Sequence, residues 1–324
     1  MSYEPATMLG MGIGDALGAP FEQPSSATEP PPGLADWTGE FRDTHGAYGA
    51  FQAGEWTDDT GMGVALSRAL LERRAFTADN VMRHYFNWYE TVPKGLVGGT
   101  IKKAMANYGE GSLAANCGIL GSEGNGAAMR CAPIGVFFWR DIEAAMDIAR
   151  EEATLTHRSL EAEEGSAAVA GASAFLVYMR MTYGKDCVLD ALPSAMMLSI
   201  ADHLRESKIK DLLKSLLESP TTDLQATLKR IGTKGHVLQT VPAAFACFLF
   251  TKSFEEAVMA AVRGAGDADT TAAITGALAG TFYGREGIPE RWRAGVHRGD
   301  YLHTLDQRLF HEAYRPGPST KGWG

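Results

Sequence analysis

Apolar residues return every three or four positions along most of this chain. In residues 61–73 they are Met62, Ala65, Leu66, Ala69 and Leu70, the spacing that lines one face of a helix. Ala162, Ala168, Val169, Ala172, Phe175, Leu176 and Met179 repeat it over a longer segment, as do Ala257, Val258, Ala261 and Val262. Ala273, Ile274, Ala277, Leu278 and Thr281 follow the same period. Alternating, strand-like runs are scarce. The pattern predicts an all-α globule without a strong internal boundary, one domain over residues 1–324 with a flexible tail at 314–324. Many of the helices are rich in Ala and Gly, which lets helix axes approach closely. The Phe245, Cys247, Phe248, Leu249 and Phe250 stretch is expected in the core.

Two stretches break the period. Residues 24–33 (PSSATEPPPG) are a proline-rich loop, and residues 36–56 are long, Gly-studded and aromatic. Both precede a cluster of acidic residues, and long loops in compact domains are often functional; a surface excursion is the alternative.

Composition narrows the function classes. Of 324 residues, 45% are hydrophobic and 21% charged, with a net charge of −9. That is a foldable chain whose average field repels duplex nucleic acid. The four cysteines form no C-x-x-C pair, which argues against a thiolate zinc site. No run of about 18 apolar residues is present, so no membrane span is expected. Met1-Ser2-Tyr3-Glu4-Pro5 lacks signal-peptide character, and a reducing, cytoplasmic setting is expected.

Chemistry concentrates at two helix starts. Trp56-Thr57-Asp58-Asp59-Thr60-Gly61 and Gly264-Ala265-Gly266-Asp267-Ala268-Asp269-Thr270-Thr271 each place Asp and Thr before an amphipathic helix. Capping accounts for one oxygen at each start. It does not account for adjacent aspartates, which repel each other unless a cation intervenes. Asp58, Asp59, Asp267 and Asp269 with Thr57 and Thr270 could supply oxygens to two hard divalent cations, Mg²⁺ or Mn²⁺. No His lies in either motif, against zinc. Gly264 and Gly266 bring the chain to the site without bulk and can take positive φ.

These motifs, with three others, carry a resemblance to a known family. Gly12-Ile13-Gly14-Asp15-Ala16-Leu17-Gly18-Ala19-Pro20-Phe21-Glu22, the two acidic motifs, Gly124-Asn125-Gly126-Ala127-Ala128-Met129-Arg130 and Leu155-Thr156-His157 stand in the order found in the ADP-ribosylglycohydrolase family. That family includes hydrolases of ADP-ribosyl-arginine and ADP-ribosyl-serine. The resemblance runs from about Met8 to Phe282. It implies an all-α orthogonal bundle with a central cleft for two Mg²⁺ or Mn²⁺ ions. Its reaction would be release of free ADP-ribose from an ADP-ribosylated protein or ADP-ribose derivative.

The resemblance implies roles for individual residues. Glu22 becomes the general base and gate, acting with Asp58 and Asp269. Gly124 and Asn125 form a loop that approaches diphosphate or ribose; without the family, a turn with Asn in the left-handed region is the alternative. Ser122 and Glu123 are expected in the same pocket. His157 at a helix start is a substrate contact or a cap, and His236 is a candidate to stack on adenine. Arg130 is expected in a structural ion pair, and Lys102-Lys103 on a solvated face. One stretch departs from the nitrogenase-regulating branch, which has Asp-x-Gly-Asn where this chain has Leu96-Val97-Gly98-Gly99-Thr100. With no carboxylate there, and space at Gly98 and Gly99, an oxygen-linked, serine-type acceptor is favoured over arginine. A non-catalytic relative and a different two-metal phosphoester hydrolase are the competing readings.

Overall fold

The computed structural model describes residues 3–24, 26–46, 49–184, 192–218 and 223–313; the tail expected at 314–324 lies outside them. Among the described residues fifteen α-helices form an all-α fold. They are α1 Thr7–Gly18, α2 Asp58–Arg73, α3 Ala78–Thr91, α4 Gly99–Gly109, α5 Ala132–Phe137, α6 Ile142–Thr154, α7 Leu160–Tyr183, α8 Leu192–His203, α9 Lys208–Glu218, α10 Leu224–Ile231, α11 Val237–Leu249, α12 Phe254–Arg263, α13 Ala268–Tyr283, α14 Glu290–Gly295 and α15 Gly299–His311. No helix among the described residues is long and apolar enough to cross a membrane.

The centre is the antiparallel pair α1 and α13, which share the largest interface of any two elements. Every residue of α1 is buried, as is all of α13 except Tyr283. Glycine sets their separation. A Cβ on Gly10 would fall 2.1 Å from the Gly276 carbonyl oxygen, and one on Gly280 2.2 Å from that of Ala6. Only backbones without side chains between them approach so closely. The start of α1 has no cap of its own. Asp306 of α15 provides it, accepting from Met8 N at 2.7 Å and Leu9 N at 3.1 Å.

This pairing positions the chemistry. Because the helices are antiparallel, the end of α1 meets the start of α13. The chain leaving α1 passes through the short 3₁₀ turn Ala19–Phe21 and is tied down where Gln23 N donates to Gly266 O at 2.8 Å. Glu22 is thereby set beside the second acidic motif.

The aromatic stretch before α2 is anchored, not a loose excursion. Trp37 is buried, its ring edge-on to Phe21, and its indole N–H donates to Glu40 O at 2.8 Å. A short antiparallel ribbon also lies here, β1 Thr44–Gly46 paired with β2 Gly49–Phe51. Its strands are too short for a hydrophobic alternation to announce them. A second pairing is parallel, β3 Ile119–Leu120 with β4 His157–Arg158. The expected core stretch on α11 is buried at Phe245, Cys247 and Phe248, while Leu249 and Phe250 are half-buried at its end.

Candidate active site

The first acidic motif is the opening turn of α2. Thr57 is its N-cap, with its side chain accepting from Asp59 N at 3.4 Å. The expected capping is therefore present, and Thr57 alone supplies it. Asp58 and Asp59 remain available, in the turn where the helix dipole favours negative charge. A residue not singled out from the sequence holds this turn in place. Asp15, buried on α1, accepts from Thr57 N at 2.9 Å, Thr60 N at 3.0 Å and Thr60 Oγ1 at 2.6 Å. These bonds engage both of its oxygens, so Asp15 anchors α2 and adds negative charge behind the cluster. It was legible in principle: a lone carboxylate in an apolar, small-residue helix must find partners when buried.

The second motif opens α13. Asp267 takes the N-cap position without making a side-chain cap. The turn before it runs through Ala265 at φ +55° and Gly266 at φ +73°; Ala265, not Gly264, is the second residue with positive φ. A side chain on Gly266 would also meet the Thr233 carbonyl oxygen at 2.4 Å. Asp269 Oδ1 accepts from its neighbour Thr270 N at 2.9 Å, and Thr270 Oγ1 reaches across to Asp59 Oδ1 at 3.1 Å. The two helix starts, some two hundred residues apart in sequence, thus touch directly.

Two overlapping carboxylate groups result. Oxygens of Asp15, Asp59 and Asp269 lie within 4.8 Å of one another, as do those of Glu22, Asp267 and Asp269. Glu22 joins the cluster itself instead of standing apart from it. Asp58 lies alongside on the cleft wall. Burial and mutual repulsion raise the whole set. Burial, then Asp267 and Asp58, push Glu22 up to about 8. Burial and Asp15 raise Asp58 to about 7, and burial raises Asp15 to about 6 despite its hydrogen bonds. Burial lifts Asp59, next to Asp15 and Asp58, and Asp269, next to Glu22 and Asp267, well above the carboxylate range. Such a set ionises together only with compensating positive charge. Its donors are all hard oxygens, with no imidazole or thiolate among them. They fit a hard divalent cation.

The cluster floors a cleft of about 410 Å³. One wall is the stretch Gly95–Lys102, the other Gly124, Asn125, Gly126, Met129 and His157, with Phe51 and Gly235 also at its border. Cβ atoms on Gly98 or Gly99 would meet nothing within 4 Å. Lys102, expected with Lys103 on a solvated face, instead lines the cleft, and only Lys103 is exposed. The signal for Lys102 was its place one helical turn after Gly98 and Gly99, on the same face.

Several side chains are engaged differently from expectation. Asn125 Nδ2 donates to Asp267 Oδ2 at 2.5 Å and Thr240 Oγ1 at 2.9 Å, so the side chain orients a carboxylate of the cluster. Neither Asn125 nor its flanking glycines has positive φ. The glycines make room for His157, whose ring would lie 3.3 Å from a Cβ on Gly124 and 2.8 Å from one on Gly126. His157 is buried on β4, not at a helix start; Ser159 caps α7. Ser122, Glu123 and His236 lie outside the cleft lining. Ser122 Oγ pairs with Thr100 Oγ1 at 2.9 Å. His236 Nε2 lies 3.0 Å from Glu123 Oε2 in an exposed hydrogen-bonded pair, and His236 Nδ1 caps α11. Arg130 is in the expected structural pair, fully buried at 2.8 Å from Glu152.

Comparison with known proteins identifies the family and the fold. Residues 6–319 match the family model described as ADP-ribosylglycohydrolase. An uncharacterized protein of Archaeoglobus fulgidus is 31% identical over 94% of both chains. The ADP-ribosylarginine hydrolase Tri1 of Pseudomonas putida is 27% identical, over 94% of this chain and 77% of its own. The mouse ADP-ribosylhydrolase ARH3 is 28% identical, over 80% and 78%. A solved structure titled ADP-ribosylglycohydrolase-related protein complex superposes with a TM-score of 0.72 at 26% identity, covering 95% of this chain and 97% of that one. With a family match across nearly its full length and an all-α fold to go with it, the chain belongs to the ADP-ribosylglycohydrolase family.

Proposed function

We propose that this protein is a metal-dependent hydrolase that removes ADP-ribose from an ADP-ribosylated protein side chain, with two Mg²⁺ or Mn²⁺ ions as cofactor. The observation that carries the reading is the meeting of two acidic helix starts, with Glu22 between them and the α1 turn, on the floor of a cleft of about 410 Å³. The two hydrolases named above, Tri1 and ARH3, supply the substrate class.

Asp59, Asp267 and Asp269 would hold the cations, with Thr57, Asp58 and Thr270 completing the set. When bound, the cations would relieve the repulsion among these carboxylates and stabilise developing negative charge. Glu22 takes a proton from the attacking water, whose oxygen bonds to the anomeric carbon as the bond to the acceptor breaks. The proton gained by Glu22 is passed to the leaving atom of the acceptor, which departs neutral and returns Glu22 to its starting state. Asn125 keeps Asp267 in register, and His157 with Gly124 and Gly126 forms the wall against which ADP-ribose lies.

The acceptor is oxygen-linked, of the serine type. Leu96–Thr100 provides no carboxylate of its own to grip a guanidinium, and Gly98 and Gly99 leave open space beside the floor. Release kinetics on serine-linked and arginine-linked ADP-ribosyl peptides, with and without a chelator, test both parts. Faster release from serine, abolished by chelation, is expected. A tenfold preference for arginine, about 1.4 kcal/mol in transition-state stabilisation, overturns the acceptor assignment. Release from neither, by folded and cation-loaded protein, overturns the activity.

A further inference from the structure

A buried chain of hydrogen bonds runs from the core to the cleft wall. Tyr85 donates to Glu152 Oε1 at 2.6 Å, and Arg130 Nε donates to the same oxygen at 2.8 Å. The Arg130 guanidinium then reaches Gly126 O at 2.9 Å and Thr156 Oγ1 at 2.7 Å. Thr156 Oγ1 lies 2.8 Å from His157 Nδ1. Arg130, Glu152 and Thr156 are fully buried.

The donors and acceptors along this chain can be counted. Arg130 has only protons to give, so Thr156 Oγ1 accepts from it. A hydroxyl carries one proton, and among the described residues His157 Nδ1 is the acceptor in reach of it. Were Nδ1 protonated instead, the buried hydroxyl proton would have no partner, so the arrangement that satisfies every group leaves Nδ1 bare. A neutral imidazole then carries its proton on Nε2. His157 is only 3% exposed, its Nε2 makes no hydrogen bond among the described residues, and the ring lines the cleft beneath Gly124 and Gly126. This N–H therefore opens to the cleft, where water serves the free protein and an oxygen of the ligand can take its place.

We infer that Arg130 and Thr156 are positioning residues that lock His157 as the Nε2–H tautomer, so that it donates a hydrogen bond to an oxygen of bound ADP-ribose. Burial and the charge of Arg130 hold His157 down to about 3, so the ring stays neutral through the physiological range and the tautomer decides what it offers. The same guanidinium holds the Gly126 carbonyl, so one side chain sets both the histidine and the loop above it. The inference rests on the ADP-ribose reading for its ligand, but not for its tautomer.

Nitrogen-15 NMR of the ligand-free protein, with His157 assigned by His157→Asn, reads the tautomer directly. A protonated Nε2 and bare Nδ1 are expected, with the Nε2 signal shifting on addition of ADP-ribose. Thr156→Val removes the hydroxyl at nearly constant volume. It should release the tautomer and weaken ADP-ribose binding about fivefold, the worth of one hydrogen bond, while Thr156→Ser restores both. The serine variant carries the test if the valine variant fails to fold: it must keep the Nε2–H form and wild-type affinity. A protonated Nδ1 in the wild type, or unchanged tautomer and affinity in Thr156→Val, overturns the inference. A wild-type protein with the expected tautomer that binds no ADP-ribose overturns the ligand assignment and the proposed function together, and leaves the lock itself standing.

Discussion

Replacing Gly14 by Ala adds one methyl group at the contact between α1 and α13, two of the helices that bear cluster residues. Its Cβ would lie 1.9 Å from the Ala272 carbonyl oxygen and 2.5 Å from the carbonyl carbon. Both are backbone atoms, so no rotamer change can relieve the clash. Ordinary contact needs about 3.4 Å, and α1 and α13 must therefore part by about 1.5 Å at this level. Overpacking typically costs about 1–3 kcal/mol, and a clash against rigid backbone belongs at the top of that range. In a domain of this size the melting temperature should fall by about 5–10 °C. The functional loss should be larger. Asp15 is next in sequence to Gly14, and Asp269 lies in the first turn of the facing helix. Cation–oxygen distances tolerate changes of only about 0.2 Å, so the site would no longer close around an ion. Thermal melts with and without Mg²⁺ or Mn²⁺, together with cation titration calorimetry, measure both effects. Gly99→Ala is the control. Its Cβ meets nothing within 4 Å, and it should melt with the wild type. A Gly14→Ala protein that melts within about 1 °C of the wild type and binds cation equally well would refute the argument that this contact sets the site.

Glu22→Gln keeps the shape of the side chain but removes its basicity. Turnover should fall by about 10²–10⁴ while ADP-ribose affinity persists, and unchanged turnover in a release assay would exclude Glu22 as the base. Asp306 supplies the pH prediction. Burial raises it from 3.8 to about 8 although it accepts from Met8 and Leu9. The folded state thus holds this proton more tightly than the unfolded chain, so its contribution is present below pH 4 or so and is lost as pH rises through about 8. Asp306→Asn removes the titration and keeps one acceptor for the α1 amides. Its melting temperature should fall less than that of the wild type between about pH 5 and pH 8; parallel pH profiles would contradict the assignment.

The helical class was legible because helices bury a stripe, and a stripe leaves a 3.6-residue period wherever it occurs. The two acidic motifs were legible for a local reason: a cap needs one oxygen, and Thr57 indeed uses one while Asp58 and Asp59 do not. Family order added Glu22, Gly124 and His157. What no local pattern contains is which group meets which. That Asp15 needs partners can be read locally, but not that they are Thr57 and Thr60, more than forty residues away. Asn125 fitted a turn by its neighbours alone, yet its amide is held by Asp267, 142 residues on. Glu123 and His236 each suited a binding pocket, but the fold pairs them on the rim. Lys102 belonged by composition to a solvated pair, and only the placing of α4 beside the acidic floor brings it to the cleft. Periodicity and caps are set by neighbours along the chain, so they survive in one dimension. Hydrogen-bond partners and cleft walls are set by the close antiparallel packing of α1 on α13, and that contact exists only once the chain has folded.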